Sequence, residues 1–222
     1  MSGVAPASRT NKKTIRILGV DPAAAGPTGY GIVESDGRNC RMLHYGALTV
    51  AAKRRKECLG ATLQDVHALL CRLIEEFAPD AMAVESVFTA LNMRTALRLA
   101  EVRGVVLLAA AQHNLEVHSY APREVKASVA GHGHADKRQM QMMVRALLSM
   151  TETPEPADAA DALAVALCHL QAEHARRRFG LPDDGNVRPR ALVAAAGAPG
   201  VTTVIRTGGA TRNKLPRILS TR

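Results

Sequence analysis

The chain has 222 residues, of which 47% are hydrophobic and 22% charged, a balance that fits one globular domain and excludes a disordered or fibrous protein. No apolar run reaches the ~18 residues of a membrane span, the leading MSGVAPASRTNKK lacks a secretory apolar stretch, and Cys40, Cys58, Cys71 and Cys168 form no CxxC pair, which fits a reducing cytoplasm. The net charge of +9 is carried by the ends: seven basic residues and no acid lie in 187–222, three and none in 1–14, and the remainder sums to −1.

Residues 1–14 read as a disordered leader. Thr14–Asp21 (TIRILGVD) is short, apolar and rich in β-branched residues, the pattern of a strand. The small-residue turn Pro22–Pro27 leads to a second strand, Thr28–Ser35 (TGYGIVES). Asp36-Gly37 is a hairpin turn and Cys40–Val50 a third strand, so the chain begins as an antiparallel meander. Across Arg54–Phe77, Leu59, Leu63, Val66, Leu69, Leu70, Leu73 and Ile74 recur at helical spacing, and Ala78-Pro79-Asp80 stops that helix. Ala81–Val87 reads as a fourth strand. Asn92 caps a helix running to about His113, whose VVLLAAA segment is apolar all round and suits burial or a subunit interface. Leu115–Tyr120 is a fifth strand; helices follow at Pro122–Ala130, Asp136–Met150 and Ala157–Arg176. Met140, Met142, Met143 and Met150 read as core fillers, and His132 and His134 as a polar loop. The expected fold class is α/β, a five-stranded mixed sheet flanked by helices over residues 15–177, with a flexible basic tail over 178–222.

Four acids stand out against this frame. Asp21 and Glu85 each sit at the end of an apolar strand, where an unpaired carboxylate costs several kcal/mol. Asp158 and Asp161 are spaced i, i+3 on an otherwise apolar helix, so both project from one face. Each alone is more often a turn, cap or dipole-complementing residue than a ligand. Together they hold a charge near −4 with no matching buried Lys or Arg in the pattern. An all-oxygen donor set suits Mg²⁺ or Mn²⁺ rather than zinc. Two such ions about 3.5–4 Å apart clamp a phosphodiester.

The ordered series ILGVDP, TGYG, AVESVF, YAPREVK and ADAADALAVALCH resembles the RuvC family, the crossover junction endodeoxyribonucleases or Holliday-junction resolvases, over roughly residues 15–175. The resemblance implies a ribonuclease-H-like fold, a homodimer, two Mg²⁺ ions per subunit, and paired nicks across a four-way DNA junction in recombination and repair. It places the family's metal-binding acids on Asp21, Glu85, Asp158 and Asp161, its basic residues near the scissile phosphate on Lys126 and Lys137, and its base-stacking aromatic on Phe88. It also implies the branch-migration partners RuvA and RuvB. Asn92 and Arg94, with Arg98, are candidates for lining a DNA groove, or equally an N-cap and a solvated helix face. Two departures are visible: Ala23 stands where the family usually has Gly after Asp-Pro, and the turn before TGYG is one residue longer.

Three rival readings are weaker. A pre-16S ribosomal RNA processing nuclease resembles the first strand but lacks the VESVF strand together with the ADAAD helix. An actin-like or sugar-kinase-like ATPase needs a second similar domain, and neither a repeat nor GxxxxGK[ST] is present. A non-catalytic DNA-binding module has no use for a mutually repelling set of acids.

Overall fold

Five strands form one mixed sheet in the computed structural model, which describes residues 14–24, 26–49, 59–86 and 93–180. Strand β1 (Ile15–Asp21) pairs antiparallel with β2 (Thr28–Ser35), and β2 antiparallel with β3 (Cys40–Leu48). β4 (Ala81–Glu85) lies parallel on the other side of β1, and β5 (Glu116–Tyr120) parallel beside β4, giving the order β3-β2-β1-β4-β5. The β2–β3 hairpin turns where Gly37 takes φ 85° and Asp36 Oδ1 accepts the Arg38 and Asn39 N–H groups at 2.7 and 2.8 Å.

Successive strand residues face opposite sides of the sheet. On one side, Leu18, Val20, Ile32, Met82 and Val84 pack under helices α1 (Leu59–Phe77) and α2 (Met93–Gln112), through Val66, Leu70, Val102 and Val106. On the other, Ile15, Ile17, Val33, Ala81 and Ala83 pack under α3 (Pro122–Ala130), α4 (Lys137–Leu147) and α5 (Ala157–Phe179). Asp21 follows Ile17 and Gly19 in the row facing α5, and Glu85 follows Ala81 and Ala83 in the same way.

Several boundaries differ from the expected ones, each for a local reason. β4 ends at Glu85, whose bridge to Tyr120 is closed by the Ser86 N–H donating to the Tyr120 carbonyl at 2.8 Å; Val87 lies outside the described residues. β3 ends at Leu48, with Val50 outside them. α1 is described from Leu59 and ends as expected, where Ala78 adopts φ 45° ahead of Pro79. α4 is shorter than Asp136–Met150 because Asp136 is its N-cap and Ser149, at φ 50°, breaks its end. α5 runs past Arg176 to Phe179, closed by Gly180 at φ 61°, so the first two residues of the expected tail are helical. The leader through residue 13 and the tail from 181 lie outside the described residues.

The methionines divide. Met140 is buried with Val144 and Leu148 at i+4 spacing, whereas Met142 and Met143 are 56% and 36% exposed. A helix resting on one face cannot bury positions between its i, i+4 row, so reading both as core fillers was incorrect.

Candidate active site

Strand pairing brings the first two acids together. The β1–β4 ladder matches Gly19 with Ala83 and Val20 with Val84, so Asp21 and Glu85 follow side by side at the carboxyl ends of parallel strands. Their alternation turns both toward α5. Asp158 stands in the first turn of α5 and Asp161 one turn on, on the same side. The helix N-terminus adds partial positive charge at this end.

The approach of α5 to the sheet depends on missing side chains. A methyl group on Gly29 would lie 1.9 Å from the Asp158 carbonyl oxygen, and one on Gly19 would lie 2.1 Å from that of Ala162. On Gly31 it would meet Leu163 Cδ2 at 2.6 Å. β1 and β2 are therefore glycine where α5 crosses them, and the acids of the helix reach those of the strands. Glycine inside a strand marks such close approach. The alternating glycines of TGYG were the available signal.

The electrostatics follow from this crowding. Asp21 is pushed up to about 8, first by burial, then by the charge of Glu85, a hydrogen bond with Glu85, and the charges of Asp161 and Asp158. Burial also raises Glu85, aided by the charge of Asp161, while the hydrogen bond with Asp21 and the charges of Lys126 and Lys137 act against it. Asp161 is raised by burial, against Lys137 and Lys126 and with Asp158. Two carboxylates forced into one site oppose each other's ionisation, and both are shifted upward.

Both lysines come from ordered helices. Lys126 follows Val125 on α3, which Val125 and Val129 anchor in the core. Lys137 is the first residue of α4, fixed by a reciprocal cap: Asp136 Oδ1 accepts the Gln139 N–H at 2.8 Å, and Gln139 Oε1 accepts the Asp136 N–H at 3.0 Å. Two ammonium groups against four carboxylates leave a formal excess of negative charge. Among the described residues no three His, Cys, Asp or Glu donors are already drawn to metal-ligand spacing. The set is nonetheless all oxygen, crowded and partly desolvated, and its ionised form calls for a hard divalent cation, which Mg²⁺ or Mn²⁺ satisfies.

The structure therefore gathers Asp21, Glu85, Asp158, Asp161, Lys126 and Lys137. Arg94 is exposed in the first turn of α2 and is not among the leading charges acting on these acids. Phe88 and Asn92 lie outside the described residues. His132 and His134 are exposed in the loop after α3. Beside the acids stands a feature the sequence reading overlooked. Tyr120 is the ladder partner of Glu85, and its Oη lies 2.8 Å from Nδ1 of His169 on α5. The signal was a histidine within the apolar run AVALCHL, a polar group that burial obliges to find a partner.

The family model described as Crossover junction endodeoxyribonuclease RuvC matches residues 17–169. A protein of that name from Chloroflexus aurantiacus is 46% identical over 167 residues, 75% of this chain and 99% of the relative. Another from Caldicellulosiruptor saccharolyticus is 42% identical over 157 residues, 70% of this chain and 92% of the relative. The structure described as T. thermophilus RuvC in complex with Holliday junction substrate is similar at a TM-score of 0.67 and 34% identity, covering 75% of this chain and 97% of that one. The yeast mitochondrial Holliday junction resolvase Ydc2 shares the fold at a TM-score of 0.54 and 15% identity, covering 75% and 83%. The sheet and its helices are the ribonuclease-H-like arrangement expected from the sequence.

Proposed function

The chain belongs to the RuvC family of crossover junction endodeoxyribonucleases, and from that premise we propose that Asp21, Glu85, Asp158 and Asp161 hold two Mg²⁺ ions per subunit, with Mn²⁺ able to substitute. The protein is a Holliday-junction resolvase, a nuclease that cuts four-way DNA junctions in recombination and repair. The observation that carries the assignment of the site is the convergence of four partly buried carboxylates from β1, β4 and α5, with Asp21 raised to about 8 by the others and by burial.

When bound, such ions supply Lewis-acid stabilisation of phosphate charge and acidify an attacking water. The protein's own part is positional and electrostatic. The strand ends and α5 hold the carboxylates on a rigid frame beside which a phosphodiester docks. A water oxygen bonds to phosphorus as the bond to the 3′ oxygen breaks, leaving a 5′ phosphate and a 3′ hydroxyl. Lys126 and Lys137, whose charges already act on Glu85 and Asp161, offset the negative charge that builds on the phosphate and leaving oxygen. Phe88 stacks on an unpaired base at the branch point, and Asn92 and Arg94 line the DNA path.

A four-way junction has approximate two-fold symmetry, which a C2 dimer matches with two equivalent sites. The exposed Met93, Leu97 and Leu108 of α2, at 75%, 58% and 51%, lie along one stripe of the helix and support a homodimer built on it. RuvA and RuvB are the partners that family membership implies. The setting is the cytoplasm, which the free thiols of Cys40, Cys71 and Cys168 suit; among the described residues no helix is long and apolar enough to cross a membrane.

The test uses a labelled synthetic four-way junction beside matched duplex, with Mg²⁺ or EDTA. Glu85→Gln and Asp158→Asn are expected to slow cutting by about 10²-fold or more while junction binding persists. Binding lost in step with cutting would make these acids structural and remove the proposed site.

A further inference from the structure

The first turns of α5 rest on glycine, so their position depends on what holds the helix further along. Where α5 crosses β1 and β2 it meets Gly19 and Gly29 with Ala162, Ala166 and its own backbone, and Gly31 with the Leu163 side chain. Leu163, Leu167 and Leu170 pack the rest of the helix into the core, and a slide of one residue would move it about 1.5 Å along its axis. That displacement matters at this end of the molecule, because Asp158 and Asp161 ride on α5 while Asp21 and Glu85 are fixed to the sheet.

Directional contacts oppose such a slide: Ser35 Oγ of β2 lies 3.3 Å from His174 Nε2, and a buried contact stands beside the site. Tyr120 of β5 is hydrogen-bonded through Oη to His169 Nδ1 at 2.8 Å, and both residues are buried, 5% and 3% exposed. The imidazole of His118 packs against that of His169, centroids 4.3 Å apart, and Glu116 Oε1 lies 3.4 Å from His118 Nε2. Tyr120 is the register partner of Glu85 in the β4–β5 ladder. His169 lies eight residues beyond Asp161, about 12 Å along the same helix. This bond therefore ties the strand flanking Glu85 to the helix carrying Asp161. A buried bond of this kind is worth more in specified geometry than in net stability, because any other register leaves both groups desolvated and unpaired.

We infer that Tyr120 and His169 are positioning residues that set the axial register of α5 on the sheet, and through it the spacing of the four carboxylates toward a divalent cation. They touch neither substrate nor reacting atoms. The inference rests on the metal-site reading above, so its test separates the two.

The experiment measures Mn²⁺ binding to the intact protein by electron paramagnetic resonance, without DNA, together with thermal unfolding. Wild type is compared with Asp21→Asn, with Tyr120→Phe, and with Ser128→Ala. Tyr120→Phe keeps the ring and removes only the hydroxyl. Ser128→Ala deletes a different hydrogen bond onto α5, that from Ser128 Oγ to Gln171 Oε1. Tyr120→Phe is expected to weaken Mn²⁺ binding about tenfold, as loss of an outer partner of metal ligands does, and Ser128→Ala to leave it unchanged. Rescue of binding toward wild type is expected in a Tyr120→Phe protein given saturating metal, with junction cutting recovering in parallel. Unaltered binding in Tyr120→Phe, or equal weakening in Ser128→Ala, would overturn the positioning role alone. A wild type lacking any Asp21-dependent Mn²⁺ site would overturn the metal reading and this inference with it.

Discussion

Glu34, buried, and Asp21, half-buried, are carboxylates on adjacent strands whose environments are opposite. Glu34 accepts from Arg16 Nε at 2.8 Å and from Arg41 Nε at 2.8 Å, while Arg16 also donates to the Phe77 carbonyl at 2.9 Å. These arginines, Arg16 first, hold Glu34 below the usual carboxylate range despite its burial. It is a structural ion pair, satisfied on every side, and needs no ligand. Asp21 is pushed the other way by burial and by its acidic neighbours. The direction of the shift thus separates a carboxylate that holds the fold from one assigned to the proposed metal site. Because its folded pKa is depressed, Glu34 contributes stability that is full above the ordinary value of 4.5 and is lost as pH falls through the lower folded value. Glu34→Gln is expected to cost about 1–3 kcal/mol at pH 7 by leaving buried donors poorly paired. Calorimetry should show the melting gap between variant and wild type narrowing as pH falls below 4.5. A gap independent of pH would mean the ion pair contributes nothing beyond packing.

At the scale of elements, α5 is the one on which the site depends. Its residues from Ala159 to Leu170 are buried apart from Asp161, so it is core along one half and site at its first turns. This is possible only because β1 and β2 present glycine beneath it. Gly29→Ala would set a methyl carbon 1.9 Å from the Asp158 carbonyl, a backbone atom that cannot turn aside. The first turn of α5 must lift, at about 1–3 kcal/mol. The expected result is a lower urea midpoint together with a loss of cutting larger than the unfolded fraction accounts for. Cutting that merely tracks the folded fraction would show that the first turn tolerates displacement.

At the scale of the whole molecule, the candidate site and the excess of positive charge fall in different stretches of the sequence. The acids lie in a body of net charge −1, while the basic excess belongs to the ends of the chain, outside the span matched by the family. Paired cutting requires two sites, and the apolar stripe of α2 is the surface proposed to join them. Leu97→Glu with Leu108→Glu, both exposed in the single chain, should leave folding intact and yield a monomer in sedimentation equilibrium. Junctions should then be nicked on one strand rather than on two symmetric strands. A double variant that still sediments as a dimer would move the interface elsewhere.

Much of this was legible in the order of residues because strand and helix periods are local. TIRILGVD, TGYGIVES and AMAVE declare strands by composition and alternation, and the i, i+3 spacing of Asp158 and Asp161 sets them on one helix face without reference to the rest of the fold. The four acids could be named because each breaks an apolar run. What the residue order could not specify was depth and distance: which face α5 presses on, how near it comes, and that Tyr120 stands beside Glu85. Met142 and Met143 were misread because composition cannot tell which side of α4 meets the sheet. Those facts depend on register between segments far apart in the chain, which only tertiary packing decides. Hydrophobic period determines that an element has a buried face; the glycines under α5 and the Tyr120–His169 bond determine where that face comes to rest.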